Sequence, residues 1–122
     1  MRKKPLRSLR KKRDFDLVFR DGFALGSRYL VIYATPNELS INRLGLSVSK
    51  KIGKAVIRNR IKRLLKEAMR KIQEEIPRDC DFVIVAKKPS AEGALEDFIQ
   101  DIKRFLSRLF DEKNSYIADK TI

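Results

Sequence analysis

The chain has 122 residues, with 29 Lys or Arg against 16 Asp or Glu and a formal charge of +13. It has no histidine and one cysteine, Cys80. This excludes an imidazole general base, Ser-His-Asp and Cys-His catalysis, His-ligated zinc, intrachain disulfides and multi-cysteine metal sites.

The length suits one domain with one modest core over residues 1–122, and no apolar run approaches the ~18 residues of a membrane span. Residues 1–13 lack a hydrophobic period, contain Pro5 and carry eight cations with no anion, Arg10, Lys11, Lys12 and Arg13 among them. They read as an extended or disordered basic arm. No apolar segment follows to make it a secretion signal, so a cytoplasmic location is expected. Phe15, Val18 and Phe19 then mark one face of a short helix over Asp14 to Arg20, with Asp14 as a possible cap and Gly22 just past its end.

Phe23 to Thr35 reads as one strand with Tyr29, Val31 and Tyr33 on one side and Leu30, Ile32 and Ala34 on the other. Pro36-Asn37-Glu38 breaks it. Arg43 to Ser49 alternates, Leu44, Leu46 and Val48 opposing Arg43, Gly45, Ser47 and Ser49, and a hairpin through residues 36–42 is the simplest pairing. Lys54 to Glu75 is the clearest helix. Ile57, Ile61, Leu64, Leu65, Ala68 and Ile72 form its apolar stripe, opposite Asn59, Arg63, Lys66 and Arg70, and Pro77 ends it. Asp81 to Ala86 is an apolar run suited to a central strand. Pro89-Ser90 opens a last helix, with Ser90 as its cap, whose core residues run from Leu95 to Phe110. The tail, 111–122, is polar and expected to be flexible. The order is α-β-β-α-β-α, an α/β or α+β fold in two layers.

The charge is not spread evenly. Residues 1–13 and 50–71 together carry +17 and the remainder −4. Concentrating like charge costs self-repulsion, so a polyanionic partner is expected, nucleic acid ahead of an anionic membrane or of a merely solvated face. A helix with Arg and Lys at i, i+3, i+4 and i+7 makes a comb of phosphate donors, and helix faces that serve only solvation usually mix signs, whereas here Glu67 alone interrupts. For Phe15, Phe19 and Tyr33 the pattern by itself favours core packing over stacking on single-stranded nucleic acid. Gly53 reads as a turn before the basic helix, and Asp79 and Asp81 as ordinary strand-entry acids. Flanked by these, Cys80 reads as an unreactive thiol.

The stretch from Arg43 to Arg70, RLGLSVSKKIGKAVIRNRIKRLLKEAMR, resembles the signature of the bacterial ribonuclease P protein subunit. The RNR helix is Arg58-Asn59-Arg60, the KR pair Lys62-Arg63, and the VSKK-x-G-x-AV lead-in Val48 to Val56. Asp14-Phe15 to Val18-Phe19 matches the family's DF-x-x-VF helix, and the likeness extends over roughly residues 9–110.

The resemblance implies an α+β fold, a two-layer α/β sandwich with a small mixed sheet packed by helices and a left-handed βαβ crossover. It implies a noncatalytic RNA-binding subunit of a tRNA 5′-maturation endonuclease, with catalytic ribonuclease P RNA and precursor tRNA as partners and no obligate protein partner. Mg²⁺ would be bound mainly by the RNA, with no metal site of protein-only ligands. By the same resemblance, Arg58, Asn59, Arg60, Lys62, Arg63, Lys66 and Arg70, with Lys50, Lys51 and Lys54, would face the RNA. Phe15, Phe19 and Tyr33 would line the cleft for the single-stranded leader.

Overall fold

The structure is a computed structural model and describes residues 5–111. Arg2, Lys3 and Lys4 of the arm, and the tail from residue 112 on, lie outside the described residues. The elements are β1 (Leu6–Ser8), α1 (Lys12–Asp21), β2 (Phe23–Gly26), β3 (Leu30–Pro36), β4 (Asn42–Ser47), α2 (Ala55–Ile72), β5 (Cys80–Ala86) and α3 (Leu95–Leu109). Short 3-10 turns cover Lys50–Ile52, Gln73–Glu75 and Lys88–Glu92.

The fold is mixed α+β on a five-stranded sheet of order β1-β4-β5-β3-β2. β5 is central because its side chains are apolar on both faces. Phe82, Val83 and Ile84 are all fully buried, as a strand covered on both sides requires. On one face Leu30, Ile32, Ala34, Leu44, Phe82 and Ile84 meet α2 and α3, whose contributions include Ile61, Leu65, Met69, Phe98, Ile102 and Phe105. Each fully buried side chain of this size stabilises by about 1.5–3 kcal/mol. This is the sandwich's main core. On the opposite face α1 lies across the sheet, with Val18 and Leu9 packed on Val83 beside Phe15, Tyr33 and Val85.

Several sequence expectations change. No hairpin pairs β3 with β4. β5 lies between them, antiparallel to β3 with Ile32 opposite Ile84, and parallel to β4 with Leu46 opposite Ile84. The most apolar strand takes the interior place, and α2 makes the crossover from β4 to β5. The Phe23–Thr35 strand is two strands, β2 and β3, turning at Ser27, whose hydroxyl accepts from the Tyr29 and Leu30 amides and donates to Asp101 of α3 at 2.6 Å. Tyr29 therefore falls in the turn, outside the alternation, and its ring meets Phe98 edge-on at 6.0 Å in the main core.

The arm is partly ordered. Leu6, Arg7 and Ser8 pair in parallel with Asn42, Arg43 and Leu44, and Leu9, 3% exposed, pins this strand. α1 starts at Lys12, so Lys12 and Arg13 are helical and Asp14 sits in the first turn rather than capping. α3 starts at Leu95, not at Pro89-Ser90, which belong to the preceding 3-10 turn. There the Ala94 amide donates to the Asp97 carboxylate at 2.8 Å, closing the helix start in place of Ser90.

Gly22 ends α1 as expected, though by close approach rather than left-handed backbone. A Cβ there would stand 2.4 Å from the Val18 carbonyl oxygen and 3.0 Å from that of Ala34. Gly22→Ala is therefore expected to cost about 1–3 kcal/mol, as other strain-forcing substitutions do, read as a lowered midpoint in thermal or urea denaturation. An unchanged midpoint would mean that the α1–β2 corner yields freely.

Candidate nucleic-acid interface

The cationic comb lies on α2, because the same periodicity that buries Ile61, Leu65, Ala68, Met69 and Ile72 turns the opposite side to solvent. Asn59, Arg63, Lys66 and Arg70 are exposed, and Lys62 is partly so. Ion pairs among the described residues join Lys12 to Asp16, Arg20 to Asp21, Arg43 to both Asp14 and Asp81, and Arg104 to Asp101. None of them engages a cation of α2.

Two arginines of the motif differ from the rest. Arg58 Nε donates to the Gly53 carbonyl at 3.2 Å. Arg60 donates through both terminal nitrogens to the Ala91 and Gly93 carbonyls, at 3.4 and 3.1 Å. Both are half-buried. Arg60 thus ties α2 to the turn before α3 and does more than present charge.

Lys50 and Lys51 are exposed on the 3-10 turn that leads to α2, where the Ser49 hydroxyl accepts from the Lys51 amide at 3.1 Å. Lys54 is the exposed N-cap of α2. β1 runs beside the C-terminal half of the comb. Leu6, Arg7, Ser8 and Leu44 line a small hollow with Lys66 and Arg70, so the docked part of the arm adds Arg7 to the same basic field. Arg10 and Lys11 are exposed between β1 and α1.

The aromatic residues assemble on the other sheet face. The spacing of Phe15 and Phe19 puts both rings on the flank of α1 that faces Tyr33. The Phe15 and Phe19 ring centres are 6.3 Å apart, and Phe19 meets Tyr33 edge-on at 4.9 Å. Phe19 remains 40% exposed, which a residue serving the core alone would not be. The strand register carries Val31, Val85 and Ser47 onward along the same face, as neighbours of Tyr33, Val83 and Gly45. The result is a largely apolar floor beside an aromatic wall.

Sequence reasoning missed what seats this wall. Arg43 on β4 stands opposite Asp81 on β5 and grips it with two hydrogen bonds of 2.7 Å, from Nε and from one terminal nitrogen. Asn37 adds a third bond to the same carboxylate at 2.8 Å. The other terminal nitrogen of Arg43 faces the Asp14 carboxylate of α1 at 3.6 Å. The hydrogen bond to Asp81 raises the guanidinium above its already high ordinary value, burial opposing. Alternation had put Arg43 and Gly45 on one strand face, but their partners appear only once the register is known. Cys80 is fully buried.

Among the described residues no three Cys, Asp or Glu side chains converge so as to hold a metal ion, and no helix is long and apolar enough to cross a membrane.

Comparison with known proteins gives one consistent answer. The family model described as Ribonuclease P matches residues 3–110. The ribonuclease P protein component of Caldanaerobacter subterraneus subsp. tengcongensis is 41% identical over 115 residues, covering 93% of this chain and 98% of that one. The RNase P protein from Thermotoga maritima superposes with a TM-score of 0.73 at 32% identity, over 83% of this chain and 96% of that one. The Staphylococcus aureus RNase P protein gives 0.69 at 30% identity, over 82% and 92%.

Proposed function

The chain belongs to the ribonuclease P protein family, and from that premise we propose how its two surfaces share the work: α2 holds the catalytic RNA, and the aromatic wall of α1 holds the leader of precursor tRNA. The protein is a subunit of the ribonuclease P ribonucleoprotein, a tRNA-processing endonuclease acting at the tRNA 5′ end, and ribonuclease P RNA is its partner.

The observation that carries the proposal is the unpaired comb. Asn59, Arg63, Lys66 and Arg70 stand in solvent, and among the described residues no carboxylate pairs with these cations, an arrangement that repels itself until a polyanion covers it. Lys50, Lys51, Lys54, Lys62 and Arg7 of the docked arm widen the same field, and Arg10, Lys11, Lys12 and Arg13 carry positive charge on from β1 to the start of α1. Arg58 and Arg60 offer what their backbone hydrogen bonds leave free. Phe15, Phe19 and Tyr33 offer ring faces and edges, which suit unpaired bases with little regard to sequence.

The whole chain acts as one domain in the cytoplasm, needing no further protein partner. With no histidine it has no imidazole base, and its described residues gather no metal cage. Magnesium, held on this reading by phosphates of the RNA, would supply an activated water and stabilise the leaving oxygen. The protein's cations lower the repulsion between the catalytic RNA and its substrate, so less magnesium is needed.

Reconstitution tests this. The protein is combined with ribonuclease P RNA, and cleavage of precursor tRNA with and without a 5′ leader extension beyond the first nucleotides is followed at low Mg²⁺. The protein is expected to restore cleavage and to favour the longer leader. Phe15→Ala is expected to reduce that preference about 5- to 150-fold, the equivalent of losing one stacked base at ~1–3 kcal/mol. Equal loss on both substrates would reduce Phe15 to a packing residue.

A further inference from the structure

We propose that Arg43, acting through Asp14, and Gly45, acting through Phe15, are positioning residues that fix how α1 presents its aromatic side chains over the sheet, and so set how firmly a single-stranded leader is held.

The inference rests on the leader reading above and begins from how little else holds α1. This ten-residue helix buries only one side chain fully, Val18. One anchor fixes the distance of a helix from a sheet but leaves its roll about its own axis poorly determined. Roll is the coordinate that would carry Phe15 and Phe19 toward the floor or away from it.

Two neighbours on one face of β4 supply further constraints, both on the turn of α1 that precedes Val18. Arg43 is a rigid post. Its bidentate grip on Asp81 consumes two of its nitrogens and immobilises the guanidinium, so that the third is presented to Asp14 from a fixed place. Gly45 is a seat. A Cβ at this position would stand 2.4 Å from Phe15 Cζ and 2.9 and 3.0 Å from its two Cε atoms, so the ring rests directly on bare backbone. From there the contacts run outward through Phe19 at 6.3 Å to Tyr33 at 4.9 Å. A small displacement at β4 is thereby passed to Phe19, the exposed member of the set.

The test uses the reconstituted holoenzyme and reads the ratio of affinities for leader-bearing and leaderless precursor tRNA. Asp14→Asn removes the charge and keeps the shape, leaving the Arg43–Asp81 pair intact. Gly45→Ala forces the Phe15 ring off its seat without touching any charge. Each is made alone and again in a Phe15→Ala background, with thermal melts to establish folding. Each variant is expected to lower the ratio about two- to fivefold, the scale of a partly exposed ion pair, and to lower it no further once Phe15 is alanine.

If both ratios stay at the wild-type value while Phe15→Ala collapses its own, the positioning role is wrong and the leader reading stands. If either variant lowers the ratio equally with and without Phe15, its effect does not pass through that ring and its assignment falls. If Phe15→Ala itself leaves the ratio unchanged, the leader reading fails and takes this inference with it.

Discussion

Replacing Arg63, Lys66 and Arg70 together with alanine is expected to lower affinity for ribonuclease P RNA about 100-fold near 0.1 M salt and to flatten its salt dependence by about 2–3 in log–log slope. Each phosphate contact contributes a slope of roughly 0.7–0.9 through released counterions, and at 0.1 M each such contact is worth nearly a factor of ten. The native protein, with about six contacts, should lose affinity roughly 300- to 2,000-fold between 50 and 200 mM salt on the same basis. The fold should survive, because all three side chains are exposed and take part in none of the ion pairs among the described residues, and alanine is the best helix former. Titration of binding across salt concentrations, with a thermal melt of each protein, checks both halves. A variant that keeps the native slope would mean that RNA meets another surface. Arg60 is left out of this set because its hydrogen bonds to Ala91 and Gly93 would mix stability with binding.

Arg43→Ala should instead strike stability, by about 3 kcal/mol. The substitution strands Asp81, only 7% exposed, with Asn37 as its remaining side-chain donor. A carboxylate so deeply placed, deprived of its counter-charge, is costlier than the pair it once formed. For a chain of this size the melting midpoint should fall by roughly 10–15 °C. Adding Asp81→Asn should recover part of that loss, since it removes the stranded charge. The double-mutant cycle measured by thermal or urea denaturation gives the coupling directly, and a cycle that closes at zero would show the two residues to be energetically independent.

The sequence was most informative where one element alone decides the outcome. The α2 comb follows from a period of 3.6, and β5 from an apolar run too short for a helix and apolar on both faces. Met69 escaped the expected stripe because it lies at its margin, yet it is fully buried, since α2 packs on both the sheet and α3. What depends on two distant segments was not legible. Pairing β3 with β4 is the shortest connection. Nothing local reveals that Cys80–Ala86 arrives later to separate them. The Ser27 turn, the docking of Leu6–Ser8 and the Asp14–Arg43–Asp81 cluster share this character, since each depends on registers between strands far apart in the chain. The aromatic wall was ambiguous for a different reason. Phe15 and Tyr33 are half-buried, packing and facing solvent at once, so apolar pattern alone cannot assign them.

The central place of β5 also governs when the molecule exists at all during its synthesis. Before Cys80 emerges the two inner strands lack their common neighbour: β3 and β4 each await the same late segment, and the edge strands β2 and β1 join the sheet only through them. Such non-local pairing is slow to form because the intervening chain must be closed first. A nascent polypeptide halted before that point would expose its basic segments on an open, sticky chain, and a ribosome-bound intermediate ending near residue 79 should be fully protease-sensitive, gaining resistance only after residue 86 and the α3 helix have left the exit tunnel.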